Sequence, residues 1–334
     1  MKDSAGQAFG QCAIRYLSAS DVLRCVPPIA RQLELAEAAV LALARGEGDN
    51  PPKTALHTRD EAFFHAMPAY HRPSDQVGLK WVSGYPDNRA RGLPYIMGLI
   101  VLNDAETGRP LCIMDAREIT GFRTAAISGV AISRLAPQKV ATVAIVGTGA
   151  QARAHLPVLA HLLPPFDLVV CDVVPEAGQA FAAVARDLAA VRSVRIVASV
   201  PEAIAEADLL ITAGTRYAHF QNQVRPELMK SDVLIDAVDW STLIPGDTVR
   251  AADLFVVDDV PQYLYHKGFG VEFVGYPEEA RSLGELVVGG VTRETRPPGL
   301  RIAMPIGVAM TDILFAHEVL RRAEELGIGR ELEA

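Results

Sequence analysis

The rhythm of hydrophobic and polar positions changes near residue 137. Before it, short apolar runs bounded by turn residues predict strands at Ala13–Leu17, Phe63–Met67, Gln76–Val82, Tyr95–Leu102 and Leu111–Met114. Asn103-Asp104 followed by Gly108-Arg109-Pro110 marks a hairpin between the last two. Two helices interrupt this pattern. One is capped by Ser20-Asp21, pauses at Pro27-Pro28 and carries Ala and Leu at helical spacing through Leu43. The other runs from Asp115 to Leu135 with Ala, Ile and Val along one side. Gly46 to Pro52 is a loop, and residues 1–11 are expected to form a frayed tail.

Beyond Pro137 the pattern becomes βα alternation. Strands are predicted at 142–146, 168–171, 194–197, 208–212, 232–237 and 253–257, with helical stretches between several of them. That spacing predicts an α/β fold with a doubly wound parallel sheet of the Rossmann type. A final helix, rich in Ala, Leu and Ile, is expected from Pro305 to Leu326 and ends at Gly327.

The first of these strands carries the most specific signal in the chain. Val143–Val146 is followed by Gly147-Thr148-Gly149, and Ala150 to Leu156 then starts a helix. Strand, glycine turn and helix together point to a dinucleotide. Gly147 permits the tight turn, while Gly149 lets a pyrophosphate approach the backbone and the positive helix N-terminus. Ala152 stands where the usual fingerprint has a third glycine, and it is small enough for close helix–strand packing. The next strand, Leu168–Cys171, ends at Asp172. A carboxylate there can accept from both ribose hydroxyls and would repel a 2′-phosphate, so NAD is expected over NADP.

Composition narrows the class. The 334 residues suffice for two domains, and with 50% hydrophobic and 22% charged residues disorder is excluded. A net charge of −8 without a basic block argues against a nucleic-acid partner. No apolar run approaches a membrane span, and Met1 to Gly6 holds no signal-peptide core, so a cytoplasmic protein is expected. Cys12, Cys25, Cys112 and Cys171 are scattered, which suits reduced thiols. The histidines show no H-x-x-x-H pair, and no metal site is expected.

Three cations invite chemistry. Lys80 is the one lysine in a neutral, glycine- and aromatic-rich strand, where it either snorkels outward or points into a cavity to meet a charged ligand. Arg123 sits among alanines in the apolar half of a helix, and a buried guanidinium needs an anion, from the protein or from a ligand. Lys53 follows Pro51-Pro52 in an entry loop.

Gly78-Leu79-Lys80 with Pro86-Asp87-Asn88, Arg123-Thr124-Ala125-Ala126 and Gly147-Thr148-Gly149-Ala150-Gln151-Ala152, in this order, resemble the ornithine cyclodeaminase/mu-crystallin family. The similarity runs from Tyr16 to the Gly307-Val308-Ala309-Met310-Thr311-Asp312 stretch. It implies a homodimer with a split α+β substrate and dimerisation domain, residues 1–130 completed by 305–334, around a Rossmann domain at 131–304. It also implies that Lys80, Lys53 and Arg123 hold the carboxylate of an amino or imino acid, Arg123 lying where cofactor and substrate meet. Lys53 replaces an arginine that many members have, so a bidentate clamp becomes a point charge. Gly147, Thr148, Gly149, Ala150, Gln151, Asp172, Ala213 and Val238 join Arg123 in the expected cofactor-binding set. The family's cyclodeaminases place an aspartate shortly after the strand that here reads Val233 to Val238; this chain has Asp239-Trp240-Ser241, with Ser241 at the expected acid position. Asp239 is then either a turn residue or a displaced catalytic acid, and His266 and Lys267 are further polar candidates.

The expected function is that of an NAD-dependent enzyme acting on the Cα–N bond of a small amino or imino acid, as an imine reductase or amino-acid dehydrogenase. The alternatives are an ornithine cyclodeaminase-type lyase, and a ligand-binding protein of the same fold without turnover. Should NADP prove the better cofactor, Arg153 and Arg192 are the first residues to suspect of holding its phosphate.

Overall fold

A computed structural model describes residues 13–215 and 223–333. The expected amino-terminal tail and Cys12 lie outside them. Two compact units form: 13–27, 47–120 and 309–333 make the first, and 28–46 with 121–308 make the second.

The first unit is a mixed eight-stranded sheet. Its order runs Arg330–Glu333, Ala13–Leu17, Pro110–Asp115, Ile96–Asp104, Gln76–Gly84, Phe63–His71 and Gly48–Asp49, with Thr54–Leu56 also on Phe63–His71. Only Ala13–Leu17 and Pro110–Asp115 pair in parallel. Phe63–His71 continues past the expected stop at Met67 despite Pro68. On the side away from Gln76–Gly84, the two short partners pair only at 64–66 and 70–71, so no ladder bond is asked of the proline.

Strand register puts Met67, Lys80, Ile100 and Met114 in one cross-strand row. Ala69, Gly78, Leu102 and Cys112 form the next. Both rows lie on the face covered by the helix Ala309–Leu326, and a Cβ on Gly78 would come within 2.9 Å of Ile313 Cδ1. Burial pushes the Cys112 thiol up to about 12, which keeps it an inert core residue.

The second unit is an all-parallel sheet ordered Val191–Val197, Phe166–Cys171, Thr142–Val146, Leu209–Thr212, Val233–Ala237, Leu300–Met304, Leu254–Val257 and Arg281–Ser282. The doubly wound α/β expectation holds. Strand order reverses between Thr142–Val146 and Leu209–Thr212, so the chain's topological switch lies at their carboxyl ends. Gly121 and Gly129 let the helix Arg117–Leu135 run close to Ala150–Leu162: a Cβ on Gly129 would lie 2.8 Å from Val158 Cγ1.

Three local expectations are corrected. The first helix is Ala19–Arg24, and its cap is Ser18 rather than Ser20; Ser18 Oγ accepts from Asp21 N while Asp21 Oδ2 accepts from Ser18 N. The Leu300–Met304 strand had not been expected, because Arg301 breaks its apolar run; that guanidinium is fully buried, donating to Asp232 Oδ1 at 2.6 Å. The last helix begins at Ala309 rather than Pro305, because the Asp258 carboxylate holds Ile306 N and Gly307 N in a turn at 2.8 and 2.9 Å.

Candidate functional site

In the second unit the glycine turn stands at the switch point. Gly147 has φ +88°, and a Cβ there would lie 2.5 Å from Ala213 O and 2.7 Å from Gly214 N. Only glycine allows the two turns this close approach. Gly149 caps the helix Ala150–Leu162 with no side chain of its own, no acidic residue stands in the first turn, and nothing lies within 4 Å of where its Cβ would be. The first N–H groups of that helix therefore face a bare, positive end. Gln151 Oε1 is buried with no hydrogen-bond partner among the described residues. A nucleotide diphosphate fits this cradle.

Asp172 ends the neighbouring strand as expected, but its carboxylate is busier than the sequence suggested. Oδ2 accepts from Thr148 N at 2.7 Å and Thr148 Oγ1 at 2.5 Å, and Oδ1 accepts from Val174 N at 2.8 Å. A carboxylate offers about four acceptor sites, so roughly one remains for a ribose hydroxyl instead of the two expected. Its charge still faces any 2′-phosphate. Arg192 cannot rescue such a phosphate: it pairs with Asp167 at 2.7 Å, at the opposite end of the strand that leads to Asp172. Arg153 lies over the Phe181 ring, 5.9 Å from its centroid.

Asp239 follows the strand Val233–Ala237. Its Oδ1 accepts from Thr212 Oγ1 at 2.6 Å and its Oδ2 from Gly214 N at 3.0 Å. The carboxyl thus joins the turn that touches Gly147, and Ala213 and Val238 flank it. Burial pushes it up to about 7, against the lowering effect of these two hydrogen bonds. A proton is therefore held here near neutral pH, beside the glycine turn. Trp240 adopts φ +58°, an uncommon conformation for a bulky residue.

Ser241 does not stand alone. Its Oγ donates to Glu272 Oε2 at 3.0 Å and accepts from Phe273 N at 3.5 Å. Sequence spacing missed Glu272, because 31 residues separate the pair. His266 packs 5.2 Å from the Trp240 ring, and Lys267 is tied to Glu278. Arg123 is 7% exposed on its helix, two residues from Gly121, where a Cβ would lie 3.5 Å from Ala154 Cβ.

In the first unit Lys80 faces inward and does not snorkel. Its Nζ meets Asp312 Oδ2 at 2.7 Å, and the two side chains are 1% and 0% exposed. Asp312 lies in the first turn of the carboxyl-terminal helix, where Met310 N donates to Asn50 Oδ1 at 3.0 Å. Lys53, three residues after Asn50, is 4% exposed. The next residue of the helix, Thr311, is fully buried, and its hydroxyl has no hydrogen-bond partner among the described residues. The first unit thus buries the ammonium groups of Lys80 and Lys53, and Asp312 holds that of Lys80 in place.

The family model described as "Ornithine cyclodeaminase/mu-crystallin family" matches residues 18–326. The nodulation efficiency protein NfeD of Rhizobium meliloti is 31% identical over 318 residues, which cover 95% of this chain and 97% of that protein. Among solved structures, the Thermococcus litoralis Δ1-pyrroline-2-carboxylate reductase in complex with NADH and L-proline is 27% identical with a TM-score of 0.83, covering 96% of this chain and 100% of that one. An archaeal alanine dehydrogenase dimer with bound NAD is 26% identical with a TM-score of 0.82, covering 96% and 99%.

Proposed function

Because the chain belongs to the ornithine cyclodeaminase/mu-crystallin family, we propose that it is an NAD-dependent enzyme acting on the Cα–N bond of a small amino or imino acid, as an imine reductase or amino-acid dehydrogenase. One observation carries this: Asp239, a proton-holding carboxyl, hydrogen-bonds the turn that closes against Gly147. Reducing an imine needs a proton at nitrogen as hydride reaches carbon.

When bound, NADH supplies the hydride. The bare helix end and Gly149 take the diphosphate, and Asp172 takes a ribose hydroxyl. Asp239 gives its proton to the imine nitrogen and recovers it from solvent after each turnover. Lys80, Lys53 and Arg123 hold the substrate carboxylate. Asp312 uses one of the three protons of the Lys80 ammonium and fixes its direction. The relatives crystallised with NADH and L-proline, and with NAD, support this assignment of cofactor and substrate class.

A second reading, cyclodeamination of a diamino acid, is favoured by one contact. Glu272 brings a carboxylate to 3.0 Å from Ser241 Oγ, at the position where the cyclodeaminases have an aspartate. In that reading Glu272 receives the distal amine.

The open face of the first unit's sheet supports a homodimer. Register aligns Ala66, Trp81, Leu99 and Asp115 in one row and Pro68, Leu79, Val101 and Ile113 in the next. Trp81 is 38% and Leu99 43% exposed, and Phe64 stacks on Trp81 at 5.2 Å. An apolar strip of this kind, ended on one side by the Asp115–Arg117 ion pair, is what a second copy covers. No helix among the described residues is long and apolar enough to cross a membrane.

The test is a panel of cyclic ketimines, 2-oxo acids with ammonia, alanine, ornithine and lysine. Net change in reduced nicotinamide is expected with at least one imine. Ammonia release without net redox change indicates the cyclodeaminase, and neither signal across the panel indicates a ligand-binding protein.

A further inference from the structure

The second unit fastens its glycine turn to the neighbouring strand through three consecutive donors. Gly147 N donates to Cys171 O at 2.9 Å. Thr148 then gives both its N–H and its hydroxyl to Asp172 Oδ2, at 2.7 and 2.5 Å. A carboxylate oxygen only accepts, so the hydroxyl hydrogen of Thr148 points at Asp172. Thr148 is 3% exposed, and bulk water does not compete for that hydrogen. A hydroxyl carries one hydrogen and two lone pairs. With its hydrogen committed, Thr148 Oγ1 can only accept from anything else that reaches it.

We propose that the Thr148 hydroxyl is a specificity-determining ligand of the cofactor, accepting from one hydroxyl of the adenosine ribose while Asp172 accepts from the other. Two adjacent ribose hydroxyls ask for two acceptors. Asp172 retains about one, on Oδ1, once Thr148 and Val174 are served. Thr148 Oγ1 supplies the second. The same arrangement counts against a 2′-phosphate, whose oxygens seek donors and here meet a carboxylate and a hydroxyl with no hydrogen to give. To serve a phosphate, that hydroxyl must turn away from Asp172 and give up its 2.5 Å contact. Selection of an unphosphorylated ribose thus rests on hydrogen-bond polarity as well as on charge. The role rests on the NAD reading above.

The test is fluorescence titration of the full-length protein with NADH, NADPH, and NADH analogues lacking the 2′- or the 3′-hydroxyl of the adenosine ribose. Thr148→Val keeps the β-branched shape and the backbone N–H and removes only the hydroxyl. It should weaken NADH about tenfold, the scale of one lost hydrogen bond, and NADPH by no more than about threefold. The native protein should bind each deoxy analogue about tenfold more weakly than NADH. In Thr148→Val one of the two analogues should bind as well as NADH does, because the hydroxyl it lacks has already lost its partner. Thr148→Ser restores the hydroxyl and should recover NADH affinity to within about threefold.

Native NADH affinity in Thr148→Val overturns the proposal and leaves the NAD reading standing. So does equal weakening of NADH and both analogues, since a hydroxyl that only fastens the turn to the strand would not distinguish them. Failure of the native protein itself to bind NADH overturns the NAD reading and the proposal with it. Should Thr148→Val not fold, by circular dichroism, Thr148→Ala decides by the same titration. If neither folds, the hydroxyl is structural and the proposal is overturned.

Discussion

Lys80 Nζ and Asp312 Oδ2 stand 2.7 Å apart in a row of apolar side chains, joining a strand to a helix at the other end of the chain. The pair explains how a lysine occupies the covered face of the sheet. It also means that removing either partner alone takes from a buried ion the opposite charge 2.7 Å away. Lys80→Met should therefore cost about 3–5 kcal/mol, and Lys80→Met/Asp312→Leu should recover most of it. Urea unfolding measures both. The folded double variant should still lose on the order of a thousandfold in kcat/KM on the best imine, about 4 kcal/mol, because the carboxylate has lost its ammonium. Full activity in the double variant would make the pair purely structural.

Asp172 spends three of its roughly four acceptor sites on Thr148 and Val174. Its negative charge should nevertheless make NADH bind at least about tenfold tighter than NADPH, a difference of ~1.4 kcal/mol. Asp172→Ser should erase that preference. It should also lower stability by about 1–3 kcal/mol, since Thr148 N loses its acceptor. Fluorescence titration with both cofactors checks the first effect and thermal melting the second. Equal affinities in the native protein would contradict the assignment.

Asp239 gives the account a pH signature. Its carboxyl, raised by burial to about 7, is a donor only below that pH. For imine reduction, kcat/KM should be level on the acid side and fall tenfold per pH unit above about 7. Asp239→Asn should lose the inflection and roughly 10²–10⁴ in rate. Stability follows the same group. The stabilisation that comes from folding's preference for the protonated form is complete below the ordinary value of 3.8, and it is lost as pH rises through about 7. Unfolding curves of Asp239→Asn should lack that decline.

The strip around Trp81 and Leu99 gives a prediction about assembly. Trp81→Glu should move the protein from dimer to monomer in sedimentation velocity, with a loss of about 2 kcal/mol or more of association energy. Leu99→Lys should do the same, and Leu264→Lys, on an exposed helix of the second unit, should not. A native protein that sediments as a monomer at micromolar concentration would remove the homodimer.

Local rules read from the sequence go far in the second unit. Gly147, Gly149 and Asp172 signal themselves through local geometry alone: a tight turn, an open helix end and a strand terminus. What escaped was non-local. Lys80 looks isolated along its strand because its counter-ion comes from a helix more than two hundred residues on, and pattern along one strand carries no trace of a partner on another element. Glu272 is invisible for the same reason, since only folding brings its carboxylate to Ser241. The Leu300–Met304 strand escaped because Arg301 reads as exposed until its Asp232 partner is placed. Arg192 looked available to a phosphate, but strand register puts it at the wrong end of the sheet.

The central claim is that this chain moves hydride to and from the Cα–N bond of a small amino or imino acid with Asp239 as the proton donor. Single-turnover mixing of the NADH-loaded protein with a cyclic ketimine carboxylate, followed by reduced-nicotinamide absorbance and product chirality, tests it most directly. The account predicts stoichiometric loss of NADH, one enantiomer of the cyclic amino acid, and a step slowed roughly 10²–10⁴-fold in Asp239→Asn. NADH retained throughout, or a rate unchanged in Asp239→Asn, would contradict it.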